Sequence, residues 1–133
     1  MRLALETTPR EFLRVASSLS VRYQFVTHTA EADSRLQVVH EGTTQDLSGG
    51  GLCLVGAPLP DDDWASALLT QRLEIALSIR LPDETLAYAV GRVVWLEADT
   101  ASTQFGIAFT RITKATQHRL FDLALEGTGT ELA

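Results

Sequence analysis

The sequence predicts a mainly β fold finished by one α-helix. Three observations carry this. Apolar and polar residues alternate along several short segments, proline, glycine and acidic residues punctuate them, and the apolar period lengthens from two to about 3.6 only near the carboxyl end. Leu19, Val21, Tyr23 and Phe25 alternate with Ser20, Arg22 and Gln24, which reads as a half-buried strand. Ala30 to Ser34 is a polar loop, and Leu36, Val38 and His40 carry a weaker alternation towards Asp46. Gly51 to Val55 is a short apolar strand. Two prolines and three acids between Ala57 and Asp63 then exclude a central strand, and Trp64 to Gln71 reads as a helical turn or a covering loop.

The next strand is the cleanest. Leu73, Ile75, Leu77, Ile79 and Leu81 face one way, with Glu74, Ser78 and Arg80 opposite. Pro82-Asp83-Glu84 turns the chain into a strand from Leu86 to Leu96. Its apolar set begins as Leu86, Tyr88 and Val90 and becomes Val93 and Trp95 across Gly91-Arg92. Such a slip beside glycine predicts a β-bulge, and bent strands are what closing a small barrel requires. After an Ala98–Ser102 loop, Phe105, Ile107 and Phe109 form another strand. Thr113 can cap a helix whose face carries Leu120, Phe121, Ala124 and Leu125, with Gly127 as its stop and residues 128–133 as a frayed tail. The expectation is an antiparallel barrel of about six strands, with the helix laid across one opening or side.

Composition narrows the function. At 133 residues, 45% hydrophobic and 21% charged, the chain suits one globular domain with one core. A net charge of −6 argues against a polynucleotide-binding surface, which needs broad positive charge. A small anion needs only a local cluster, and the amino end supplies Arg2, Arg10, Arg14 and Arg22 against Glu6 and Glu11. Cys53, the single cysteine, fits a reducing compartment and reads as a packed thiol within Leu52-Cys53-Leu54-Val55. No run reaches the ~18–20 apolar residues of a membrane span. Glu6 interrupts any export signal after Met1-Arg2-Leu3-Ala4-Leu5, so a cytoplasmic protein is expected.

No catalytic or metal-binding pattern emerges. His28, His40 and His118 are scattered, and Asp61-Asp62-Asp63 reads as a solvated loop. A Ser48–His40–Asp46 hydrolase lacks the GxSxG turn. Trp64 and Trp95 read as packing residues. The expectation is a protein without catalysis, bound metal or resident cofactor.

Two short patterns remain. In Arg10-Glu11-Phe12-Leu13-Arg14, a spacing of four brings both guanidinium groups to one side of a helical turn or of an extended strand. The arginine fork matches phosphate oxygens and guanine O6/N7, and its flat face stacks on bases. In Asp46-Leu47-Ser48-Gly49-Gly50-Gly51, an acceptor-only carboxylate suits the N1–H and N2–H edge of guanine. Ser48 can donate to phosphate or base, and the glycines permit positive φ and close approach of a ligand to bare backbone. The same Asp-x-Ser-Gly pattern is also ordinary turn chemistry, its side chains bonding nearby backbone N–H groups.

These two patterns, with Leu19-Ser20-Val21-Arg22-Tyr23, Gly91-Arg92-Val93-Val94-Trp95 and Phe105-Gly106-Ile107-Ala108-Phe109, resemble a PilZ domain from about Arg10 to Leu125. Both RxxxR and DxSxxG are complete. The resemblance implies a six-stranded antiparallel, split-barrel-like β-barrel with a C-terminal helix, spanning residues 10–126 between a 1–9 lead-in and a 127–133 flexible tail. It implies a receptor for cyclic di-GMP, a bacterial second messenger. Arg10 and Arg14 would wrap the ligand, Asp46 and Ser48 would receive guanine and phosphate, and Gly51 would keep the barrel surface open. Thr7-Thr8-Pro9 stand where the family often carries further basic residues, a departure that bears on whether one ligand molecule binds or an intercalated pair. Output would pass through a downstream protein or through homo-oligomerisation. The alternative is a PilZ-fold interaction module that does not depend on the nucleotide.

Overall fold

A computed structural model describes residues 15–16, 18–27, 38–60, 62–70 and 73–132, leaving aside the side chains of 15, 16 and 124–132. In chain order the elements are β1 (Val15–Ala16), β2 (Ser20–Thr27), β3 (His40–Leu47), β4 (Gly51–Gly56), α1 (Asp62–Leu69), β5 (Leu73–Arg80), β6 (Leu86–Ala98), β7 (Thr103–Arg111) and α2 (Lys114–Leu132). Strands pair in the order β3-β2-β5-β6-β7-β4, and β4 pairs back onto β3, so six antiparallel strands close a barrel. The short β1 extends the β3 edge, with Val15 opposite Leu47 and Ala16 opposite Asp46.

Alternation fills the barrel as the sequence predicts for most strands. Val21, Tyr23 and Phe25 of β2, Ile75, Leu77 and Ile79 of β5, and Phe105 and Ile107 of β7 all point inward and are buried. The Tyr23 hydroxyl accepts the Ala57 N–H at 2.9 Å, while its ring packs edge-on against Phe25 and Phe105.

In β6 the large apolar residues face the other way from the one expected. Leu86 is 43% exposed and Tyr88 64%, whereas Ala87 and Ala89 face the core at 1% and 6%. Register explains this. Ala87 lies opposite Ile79 and Ala89 opposite Leu77, both buried, and these branched side chains leave the barrel only methyl-sized space on β6. The predicted bulge is present, the pairing slipping between Val90 and Gly91, and a second slip follows between Val93 and Trp95.

Two helices pack against the barrel. The run read as a turn or loop is α1, which buries Trp64 and Leu68, a spacing of four that places both on one face. The Trp64 ring lies 5.0 Å from that of Phe25, and Asp62 and Asp63 sit favourably in the positive first turn. Thr113 caps α2 as expected, its Oγ1 accepting the Thr116 N–H at 3.1 Å. Leu120 is fully buried and Leu123 packs against the core, while the side chains of Ala124 and Leu125 lie outside the described residues. Gly127 does not stop the helix, which runs on to Leu132. A glycine stop needs a left-handed residue, and no glycine among the described residues has positive φ. Within a helix, glycine costs only about 1 kcal/mol relative to alanine.

Candidate functional site

The Asp46–Gly51 motif occupies the end of β3 and the turn into β4. Pairing with β4 slips between Thr44 and Asp46, a bulge at Gln45 that resets the alternation. Thr44 and Leu47 thereby face inward, buried, and Asp46 is left partly exposed on the barrel's outer face. Thr44 also ties in the start of β2: its Oγ1 accepts the Leu19 N–H at 2.9 Å, and its own N–H donates to Leu19 O at 3.0 Å.

Ser48 then organises the turn. Its Oγ accepts the N–H groups of Gly50 at 3.1 Å and Gly51 at 3.2 Å and donates to Gly51 O at 3.2 Å. The Ser48 N–H reaches the same carbonyl at 2.9 Å. One donor and two acceptor sites are all a hydroxyl offers, so the side chain, 2% exposed, is committed to its own loop. The carbonyls of the loop are held from outside. Gly50 O accepts the Phe109 N–H of β7 at 2.9 Å, and Gly49 O accepts the Gln117 side-chain amide of α2 at 3.0 Å.

The glycines act differently from the sequence expectation. None takes a positive φ. A Cβ on Gly51 would stand 2.1 Å from the Ile107 carbonyl oxygen, so it is the backbone of β7 that demands glycine there.

Strand registers gather a second set of residues around Asp46. Ala16 pairs with Asp46, Asp46 with Cys53, Cys53 with Gly106, and Gly106 with Trp95, giving one row across five strands. Phe105 and Ile107 point inward, so Gly106 faces outward, and the Trp95 indole lies over it. A Cβ there would meet the indole Nε1 at 1.9 Å. The outer row thus runs from the Asp46 carboxylate over small residues to a part-exposed indole. In the neighbouring outer row Gly51 pairs with Ala108 and Ala108 with Arg92. Trp95 and Arg92 were not legible as neighbours of Asp46, because only the register through β4 and β7 brings them to the same face.

Arg10 and Arg14 lie outside the described residues. The chain that follows Arg14 is described, and β1 holds it against Asp46 and Leu47. Cys53 is buried, its thiol 3.5 Å from Gln45 Oε1. His40 stacks on Tyr23 at 5.2 Å, and burial holds its imidazole below the usual histidine range. Burial likewise raises the Tyr23 phenol, opposed by its bond with Ala57. Among the described residues no group of three His, Cys, Asp or Glu side chains converges, and no helix is long and apolar enough to cross a membrane.

A groove of about 550 Å³ lies elsewhere on the barrel, lined by Ser20, Arg22, Glu41, Ser78, Arg80 and Leu86 among others. Its arginines face carboxylates, Arg22 at 3.7 Å from Glu41 and Arg80 at 3.4 Å from Glu84. These pairs offset the positive charge an anion would need, so the motif-bearing face is the better candidate.

A family model described as PilZ domain matches residues 8–126. No curated protein sequence matches the chain. Among solved structures, the chain is similar to the inhibitor of motility MotI/DgrA of Bacillus subtilis, with 17% identity and a TM-score of 0.66 over 93% of this chain. It spans about half of that protein's length, 53%. It is also similar to the PilZ domain of Escherichia coli YcgR, solved with c-di-GMP (10% identity, TM-score 0.61, 93% of this chain and 95% of that one). A third likeness is to the PilZ domain of CeSA from a cellulose-synthesizing bacterium (17% identity, TM-score 0.52, 85% of this chain and 95% of that one). At these identities the structural likenesses show a shared fold.

Proposed function

Because this chain belongs to the PilZ domain family, we propose that it is a cyclic di-GMP receptor whose ligand is clasped between the Arg10–Arg14 segment and the outer row beginning at Asp46. The observation that carries the reading is the pairing of β1 with the end of β3. Arg14 is joined to Val15, so their Cα atoms are about 3.8 Å apart. Val15 in turn lies opposite Leu47, the residue between Asp46 and Ser48. The residue that follows RxxxR thus pairs with the residue between Asp46 and Ser48, which supports one site built from both motifs although some thirty residues separate them in sequence.

The chemistry follows from the parts. Cyclic di-GMP carries two phosphate charges and two guanines. Arg10 and Arg14 supply forks for phosphate and for guanine O6/N7, and their planes stack on bases. Asp46 accepts from the guanine N1–H and N2–H edge. Between Asp46 and the Trp95 indole that covers Gly106 the row holds Cys53, a small side chain, so a flat base can approach the barrel wall beside the indole edge. Ser48 serves the site by fixing the loop rather than by meeting the ligand. Gly51 serves it by admitting β7. Closing the arginine segment on the barrel is the conformational step, driven by charge pairing and stacking, and it changes the surface offered to a downstream protein.

Titration calorimetry tests this. Cyclic di-GMP is expected to bind, Arg14→Ala to weaken binding at least about tenfold through loss of a charge-assisted contact, and GMP to bind poorly. No heat at high protein concentration would leave the nucleotide-independent interaction module as the standing alternative.

A further inference from the structure

Helix α2 touches the DxSxxG loop and the short strand beside it. It packs against β1, the two residues that follow Arg14, and its Gln117 side chain donates to the carbonyl of Gly49, within the DxSxxG loop. That bond spans 68 residues and is partly buried. It is also specific in direction, since a carbonyl can only accept. Elsewhere α2 is held by Leu120 and Leu123 in the core and by a bond from Arg119 to the Thr85 hydroxyl in the β5–β6 turn. Two contacts of this helix thus fall on β1 and on the DxSxxG loop.

We infer that Gln117 is a positioning residue for the ligand loop, and that docking of α2 on the barrel is thermodynamically linked to ligand occupancy. The inference rests on the cyclic di-GMP reading above. A ligand seated where β1 meets the Asp46–Gly51 turn acts on both elements that α2 rests against, so occupancy favours the docked helix. Linkage makes the effect reciprocal: loosening α2 must weaken ligand binding by the same factor.

The test compares the full chain with Gln117→Glu, which keeps the shape but replaces the donor by an acceptor facing the Gly49 carbonyl, and with Gln117→Ala. Calorimetry with cyclic di-GMP and hydrogen–deuterium exchange of the α2 amides are measured on each. In the wild type the ligand is expected to slow exchange in the 114–123 stretch. Both variants are expected to lose about three- to tenfold in affinity, the range set by one side-chain hydrogen bond, and most of the ligand-dependent protection. A purely structural role would lower protection with and without ligand alike and leave affinity unchanged, which overturns the inference while the receptor reading stands. A wild type that binds no cyclic di-GMP overturns the receptor reading and the inference with it.

Discussion

Replacing Ser48 by alanine separates two roles for this hydroxyl. The side chain is 2% exposed and makes three hydrogen bonds within its own loop, accepting from the Gly50 and Gly51 N–H groups and donating to Gly51 O. In Ser48→Ala both N–H groups lose their side-chain acceptor. Gly50 is partly exposed and can turn to water, so its loss is on the order of 1 kcal/mol. Gly51 is buried, and its N–H bears a larger desolvation cost, giving about 2–3 kcal/mol in all. For a domain of this size that is a fall in Tm of roughly 6–15 °C. Thermal unfolding reads the first quantity, and calorimetry with cyclic di-GMP reads the second. The variant is expected to lose stability by this amount and affinity as a consequence, since binding must then also order the loop. Unchanged Tm with lost affinity would refute the loop role and put the hydroxyl on the ligand instead.

Three further outcomes follow from the fold. Gly51→Ala would place a methyl group 2.1 Å from the Ile107 carbonyl oxygen, and because both atoms are tied to paired strands the expected cost is about 1–3 kcal/mol in urea unfolding; wild-type stability would contradict the assigned reason for this glycine. His40 has its folded-state pKa held below the unfolded value of about 6.5 by burial, so the unfolded chain takes up the proton first and stability falls as pH drops from about 6.5 through the folded value. His40→Phe keeps a ring against Tyr23 and should flatten urea-midpoint profiles between about pH 7.5 and 5, whereas profiles parallel to wild type would remove His40 from the account. Asp83 and Asp99, held below the usual carboxylate range by hydrogen bonds from Thr85 and from Ser102 and Ala101, contribute stability that is present at neutral pH and lost only as pH falls below about 3.8.

What the sequence disclosed was whatever a local period could carry. The β5 and β7 alternations, the bulge at Gly91 and the Thr113 cap depend on neighbours in the chain, and each is present in the fold. Features set by partners across the sheet did not show. Leu86 and Tyr88 look like core residues until Ile79 and Leu77 are found opposite Ala87 and Ala89. The bulge at Gln45 lies in a polar strand with almost no hydrophobic pattern to break, and β1 is two residues long, too short to register as a period. At the candidate site, the motif itself was plain, but the division of labour within it was not. Ser48 and Gly51 face the loop and β7, and Trp95 reaches the Asp46 row only through the β4 and β7 registers. Arg10 and Arg14 remain known from the sequence alone, tied to the barrel by the β1 pairing that follows them.

The proposed site places cyclic di-GMP on the outer face, between the Arg14 segment and the row from Asp46 to Trp95. Backbone and indole chemical shifts followed by NMR during titration with cyclic di-GMP test it most directly. The moving signals are expected to cluster at Val15 and Ala16, along 46–51, at Cys53 and Gly106, and at the Trp95 indole N–H. Signals from Arg22, Ser78 and Arg80 in the groove on the other face should stay still. Movement confined to that groove, with the Asp46 row unmoved, would contradict the account.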